Sequence, residues 1–255
     1  MVLLTPYEYP RITQFTDELC SEKVYPLSII EGTQQGEIFA DSTMNARSVL
    51  FWHRCGFAWL AGMFSEKVAE SIREMMFSPT EWHSGRLVLL ANDDERLDSL
   101  LMRYGDIKKS FRYIFEYTGE NVTAGKVPQC GGEPVRITAE NYDSIEGRIV
   151  PSFSWSCAED FLEKGFGYCL NVDGEFAACA FTSGISREYA DIGVETSPKF
   201  RGKGCARAVT RALIEDIISR GMTPVWGCST ENEGSKRLAV SSGFVIKGEH
   251  PVYYV

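Results

Sequence analysis

The stretch that most constrains the fold is residues 190–221, ADIGVETSPKFRGKGCARAVTRALIEDIISRG. Tyr189–Thr196 has the length of a strand and is bounded by Pro198. The run Arg201-Gly202-Lys203-Gly204-Cys205-Ala206 then turns directly into a helix. Val209, Leu213, Ile214, Ile217 and Ile218 recur at helical spacing, and Gly221 supplies the left-handed stop. The first amides of such a helix have no partner within it, and its dipole favours negative charge there. Two glycines let the backbone approach a ligand closely, while Arg201 and Lys203 add positive charge. The segment therefore predicts a cradle for phosphates.

The turn is neither a Walker loop, which requires GxxxxGK[ST], nor a dinucleotide fingerprint, because GxGxxG fails at Arg207. It does fit Arg-x-x-Gly-x-Ala, at Arg201, Gly204 and Ala206. In this it resembles the pyrophosphate-binding motif of the GNAT superfamily of N-acetyltransferases, which bind acetyl-CoA. A second stretch, Asn232-Glu-Gly-Ser235-Lys-Arg-Leu238-Ala239 ending at Gly243-Phe244, is similar to that superfamily's Asn-x-x-(Ala/Ser)-x-x-Leu…Gly-Phe run. Read without the family, Asn232 is a polar residue near a helix start, which is common. The resemblance implies that Asn232 hydrogen-bonds the pantetheine and that Ser235 lies beside the cofactor. Ile192–Thr196, the RGKG turn, Val225–Cys228, the Asn-Ser-Leu-Ala helix and Phe166–Cys169 together resemble the subgroup of zwittermicin A resistance proteins, N-acetyltransferases with a similar N-terminal extension.

From Pro134 onward the order of elements is itself informative. Strand Val135–Ile137, helices Asn141–Arg148 and Ala158–Lys164, and a hairpin of Tyr168–Val172 with Phe176–Ser183 about Asp173-Gly174 precede the central strand and helix. Strand Pro224–Cys228, helix Ser235–Ser242, and strands Phe244–Lys247 and Pro251–Val255 follow. The resemblance implies that strands 189–196 and 223–228 run parallel, joined by a right-handed crossover. It also implies that they splay apart to admit the pantetheine arm.

The first half carries no such turn. Arg11–Leu19 reads as a short helix, Pro26–Glu31 as extended, and Glu37–Ala40, Ser48–His53, Phe57–Ala61, Arg86–Ala91 and Phe111–Tyr117 as strands. Ser65 is the N-cap of a helix with an apolar stripe at Val68, Ile72, Met75 and Met76, and Asp93-Asp94-Glu95 opens another through Leu97, Leu100 and Leu101. Phe51, Trp52, Phe57 and Trp59 read as core at strand spacing. The fold class expected is α/β (α+β): a non-catalytic N-terminal α/β domain over residues 1–125, packed against a GNAT acyltransferase fold over 126–255. The Gly- and Thr-bearing stretch Thr118–Glu133 is the linker.

Composition bounds the function. With 255 residues, 44% apolar and 24% charged, the chain is an ordinary globular one, with no membrane-length apolar run. Pro6 and Glu8 interrupt any secretory core at the N-terminus, which predicts a cytoplasmic protein. A net charge of −9 argues against nucleic acid as a partner, and no membrane partner is expected. Eight scattered cysteines without a CxxC pair read as buried free thiols. His53, His83 and His250 lack metal-ligand spacing, so no metal is expected.

The chemistry follows from acetyl-CoA as co-substrate. A primary amine attacks the thioester only after losing its proton, directly or through water, to a base. Glu195, at the end of the central strand, is the candidate base and Asp191 the second; the alternative is that Glu195 positions the amine or caps a turn. Strand alternation puts 191, 193 and 195 on one face unless a bulge intervenes. Backbone amides at Val194–Thr196 would hold the pantetheine as an added strand, one of them facing the developing oxyanion. The cofactor-binding set is thus Val194, Thr196, Arg201, Gly202, Lys203, Gly204, Cys205, Ala206, Asn232 and Ser235. Many GNAT enzymes place a tyrosine acid where this chain has Ala239. Tyr253, Tyr254 or a water would replace it, or none is needed because thiolate is a tolerable leaving group. Trp155 and Phe153 read equally as acceptor wall or core. The expected function is transfer of acetyl to the primary amine of a small molecule, such as an amino-polyol or aminoglycoside-like antibiotic. A non-catalytic acyl-CoA-binding protein and a protein N-acetyltransferase are the alternatives, and a homodimer is left open.

Overall fold

The structure, a computed structural model, describes residues 1–78, 86–120, 122 and 131–255. The expected domain boundary after residue 125, most of the linker Thr118–Glu133, and His83 and Cys130 lie outside the described residues. The chain forms two compact units, one of residues 1–114, 229–231 and 248–255, the other of residues 115–228 and 232–247.

In the first unit β1 (Val2–Leu3) precedes two 3₁₀ segments and α1 (Val24–Ile30). Three antiparallel strands follow: β2 (Gly36–Ala40), β3 (Ser48–His53) and β4 (Phe57–Gly62). Then come α2 (Glu66–Phe77), β5 (Val88–Ala91) parallel to β4, α3 (Glu95–Leu101) and β6 (Lys108–Tyr117). Ser65 caps α2 by accepting the Val68 N–H, and Asp94 caps α3 by accepting those of Arg96 and Leu97. The stripes of α2 and α3 (Val68, Ile72, Leu97, Leu101) bury against Leu50, Leu60 and Leu89. Residues 24–30 are helical where an extended stretch was expected, because Pro26 falls in the first turn, where its missing N–H costs nothing. Residues 13–23 form a 3₁₀ segment rather than the expected short helix.

The second unit repeats this order with different residues. After β7 (Val135–Arg136) come two 3₁₀ turns, Tyr142–Ser144 and Pro151–Phe153, and α4 (Ala158–Lys164). Next are antiparallel β8 (Gly167–Val172), β9 (Glu175–Ile185) and β10 (Tyr189–Thr196), then α5 (Cys205–Ser219) and β11 (Thr223–Ser229) parallel to β10. Finally come α6 (Glu233–Ser241) and β12 (Phe244–Tyr254), whose residues from 248 onward belong to the first unit. The helix expected over 141–148 is only the Tyr142–Ser144 turn, because Gly147 takes a φ of 136° that no helix accommodates. Pro251 does not divide the last segment into two strands: its fixed φ suits extended backbone, and β12 runs through.

Trp155 and Phe161 form an edge-to-face pair at 5.7 Å, and Phe161 meets Phe181 at 6.2 Å. The Trp155 indole N–H donates to the Thr182 carbonyl at 2.8 Å, and the residue is 2% exposed, so it is core rather than a wall of an open site. On α5, Asp216 (side chain 13% exposed) accepts from Arg136 of β7 and from Arg220, each at 2.8 Å. Burial pushes the Asp216 carboxyl up, but Arg220 and Arg136 outweigh it and hold it below the usual carboxylate range. An acid with a depressed folded pKa contributes stability above its unfolded value, lost as pH falls through the folded one. Asp216→Asn should therefore flatten the loss of stability below about pH 4, read by urea titration at several pH values. An unchanged acid limb would refute this linkage.

His53 is fully buried; desolvation, then Arg54, push its pKa down to about 3, so it stays neutral. Cys55, Cys169, Cys179 and Cys228 are buried free thiols, and burial raises Cys179 to about 12. The expectation of buried free thiols fails at Cys157, exposed and capping α4 with its Sγ, and at Cys205, which is disulfide-bonded.

Candidate active site

The pairing of β10 with β11 covers only Tyr189↔Thr223, Ala190↔Pro224 and Asp191↔Val225. On its other edge β10 stays paired to β9 as far as Thr196↔Ala178. Beyond Asp191, β10 and β11 form no pairs, so backbone groups of Ile192–Val194 on that edge can meet an added strand-like ligand, whereas the Thr196 N–H and carbonyl are taken by the Glu195 carboxylate and Arg201. A register shift against β9 falls between Asp191 and Ile192, the bulge that simple alternation of 191, 193 and 195 would have excluded. Asp191 lies in the paired base of the parallel strands and is buried, whereas Val194, Glu195 and Thr196 lie in the unpaired part.

The turn after β10 opens α5 without blocking it. Gly202 and Gly204 take φ of 76° and 84°, the left-handed region that a side chain disfavours. Side chains cap α2, α3, α4 and α6; no side chain caps α5, although with 15 residues it is the longest of these. Its first amides, from Ala206 onward, carry no side-chain cap and suit an anion. Lys203 lies over the Phe200 ring at 5.2 Å, and Arg201 Nε donates to the Thr196 carbonyl at 3.3 Å, so both cations stay beside the turn. At the corresponding place in the first unit, Gly62-Met63-Phe64-Ser65-Glu66, the Ser65 hydroxyl takes the Val68 amide and Glu66 adds negative charge. That helix start thus differs from α5 in carrying a side-chain cap and an acidic residue in its first turn.

Asn232 caps α6, its Oδ1 accepting the Ser235 N–H at 3.0 Å, and Ser235 Oγ accepts the Trp226 indole N–H at 3.1 Å. The capping bond uses the amide oxygen of Asn232 and leaves its NH₂ for a ligand. Ala239 is fully buried. Tyr253 is fully buried in the first unit and donates to Asp98 at 2.5 Å. Burial first, and then that bond, raise its pKa well above the ordinary phenol value, so it is poorly suited to give up a proton. Among the described residues no group of three His, Cys, Asp or Glu is placed to hold a metal ion. No described helix is long and apolar enough to cross a membrane.

The Glu195 carboxylate accepts the Arg148 and Ile149 amides, at 3.0 and 2.9 Å, on Oε2, and the Thr196 amide at 3.2 Å on Oε1. The glycine at 147, inside a stretch otherwise read as helix, was the one available signal.

The model of the GNAT acetyltransferase family matches residues 17–253. The chain is 25% identical over 267 residues to the uncharacterized N-acetyltransferase YdfB of Bacillus subtilis, covering 98% of this chain and 97% of that protein. A GCN5-related N-acetyltransferase-like protein from Streptococcus suis superposes with a TM-score of 0.76 at 19% identity, covering 97% of this chain and 98% of that one. A tandem GNAT protein from the clavulanic acid biosynthesis pathway superposes with a TM-score of 0.59 at 13% identity, over 99% and 96% of the two chains.

Proposed function

Because this chain belongs to the GNAT acetyltransferase family and is an acetyl-CoA-dependent acetyltransferase, we propose that its acceptor is the primary amine of a small molecule. The observation that carries the reading is the uncapped, glycine-opened start of α5 placed directly after a strand whose edge is unpaired beyond Asp191. In this reading the amides of Gly204, Cys205 and Ala206, with Arg201, Gly202 and Lys203, take the pyrophosphate. The backbone of Val194 takes the pantetheine, that of Thr196, the other residue expected there, already holds Glu195 and Arg201, and the free NH₂ of Asn232, beside Ser235, meets the far edge of the arm. The residues 126–255 are the catalytic part, and the first unit, whose matching helix start is capped, binds no second acetyl-CoA.

An amide on the open edge of β10 faces the thioester oxygen as it gains negative charge. The amine attacks as the free base, its nitrogen bonding the carbonyl carbon as the C–S bond breaks and thiolate leaves; the proton that the new amide nitrogen sheds departs to water. Within the class of small amines, the resemblance to zwittermicin A resistance proteins favours an amino-polyol or aminoglycoside-like antibiotic. The test is a panel of spermidine, glucosamine, lysine, aminoglycosides and lysine-bearing peptides, with release of free CoA as the signal. Turnover of a small amine, absent in Gly204→Glu, is the expected result. Turnover confined to the peptides would replace the acceptor class.

A further inference from the structure

We propose that Glu195 serves this site as a positioning residue, clamping residues 146–149 against the open end of β10. The proposal rests on the reading that acetyl-CoA lies along that strand. Both oxygens of its carboxylate are engaged by backbone N–H donors, from Arg148, Ile149 and Thr196. An ionised carboxylate is an acceptor only, and three amides on it fix its place and orientation.

The chain on either side of this loop is anchored without Glu195. Upstream, the Ile145 amide donates to the Tyr142 carbonyl at 3.2 Å and the Tyr142 ring meets Phe161 at 5.9 Å. Downstream, the Phe153 amide donates to the Val150 carbonyl at 2.8 Å and Trp155 is locked in the core. Among the described residues, the hydrogen bonds of residues 146–149 are the two to Glu195. The exposed middle of the loop hangs on one side chain.

Gly147 is the complementary half of the clamp. A Cβ at this position would lie 2.4 Å from Glu195 Cγ and 2.9 Å from its Cδ, and the φ of 136° is one that side chains disfavour. The loop reaches the carboxylate only because residue 147 has no side chain. A freely solvated proton acceptor requires neither a glycine packed on its methylene nor two amides on one oxygen. Glu195 thus sets the backbone beside the strand end where the thioester is held, and its effect reaches the amine through that loop.

Gln at position 195 retains a carbonyl that accepts the two amides, whereas Ala does not, and this separates clamp from base. Hydrogen exchange of the full chain, read on peptides covering 146–149, should show protection kept in Glu195→Gln and lost in Glu195→Ala and Gly147→Ala. Acetyl-CoA affinity by calorimetry should stay within about two-fold in all three, since none removes the α5 amides or the Val194 backbone groups proposed to hold the cofactor. With the best amine of the panel, KM should rise about ten-fold in Glu195→Ala and Gly147→Ala, the scale of an unmade hydrogen bond. The double variant should be no worse than the worse single. Glu195→Gln should keep kcat within about three-fold, with the acidic limb of its pH–rate profile in place. A Gln variant that binds acetyl-CoA and keeps loop protection yet is inert would make Glu195 the proton acceptor and overturn the proposal. Unchanged protection in Glu195→Ala would overturn it too, even if no panel amine reacts. A parent chain that fails to bind acetyl-CoA would instead sink the cofactor reading, with the exchange result still deciding the clamp.

Discussion

Gly204→Glu is expected to weaken acetyl-CoA binding by at least about 100-fold, roughly 2.7 kcal/mol. Two costs act together. The residue sits at φ 84°, where a side chain costs about 1–2 kcal/mol. The new carboxylate would also stand at the positive end of α5, where the diphosphate is proposed to bind, and replace attraction by repulsion between anions. Calorimetry on the parent should give one acetyl-CoA per chain, because the matching helix start in the first unit is capped by Ser65 and carries Glu66. A variant that bound with the parent's affinity, or a parent with two equivalent sites, would show that the phosphates lie elsewhere. The thermal midpoint of the variant separates loss of binding from loss of fold.

Trp155→Ala should cost about 3–5 kcal/mol of stability, the range for emptying a buried aromatic site. The indole fills the space beside Phe161, and its N–H satisfies the Thr182 carbonyl in the middle of β9. Truncation leaves both a cavity and an unpaired carbonyl. Urea denaturation measures this directly. A cost under about 1 kcal/mol, typical of exposed positions, would return Trp155 to the acceptor wall.

Local chemistry made much of the second unit legible. The hairpin at Asp173-Gly174 forms with both residues at positive φ, 51° and 81°, as the Asp-Gly pair predicts. Helix Ala158–Lys164 has the bounds that its apolar spacing and Gly165 suggested. The expected cap Ser65, and Asp94 within the acidic run expected to open α3, hold their helices through hydrogen bonds only two or three residues away. The failures came where distant partners decide. Residues 141–148 were expected to be a helix, yet the end of that stretch, Arg148, and the following Ile149 are held by Glu195, 47 and 46 positions downstream. Pro26 and Pro251 read as breakers, but each falls where its missing donor is tolerated. The repetition of element order between the two units left no trace in the motifs, because RGKGCA and GMFSEK share a place in the fold but not a chemistry.

The sequence by itself determined the strand–turn–helix of residues 189–219, its two left-handed glycines and its uncapped start, because each depends on neighbours a few residues apart. Only the tertiary structure decided where β10 parts from β11, that Trp155 is core, and that Glu195 meets the loop at Gly147. Those depend on packing between segments far apart in the chain, which no local pattern encodes.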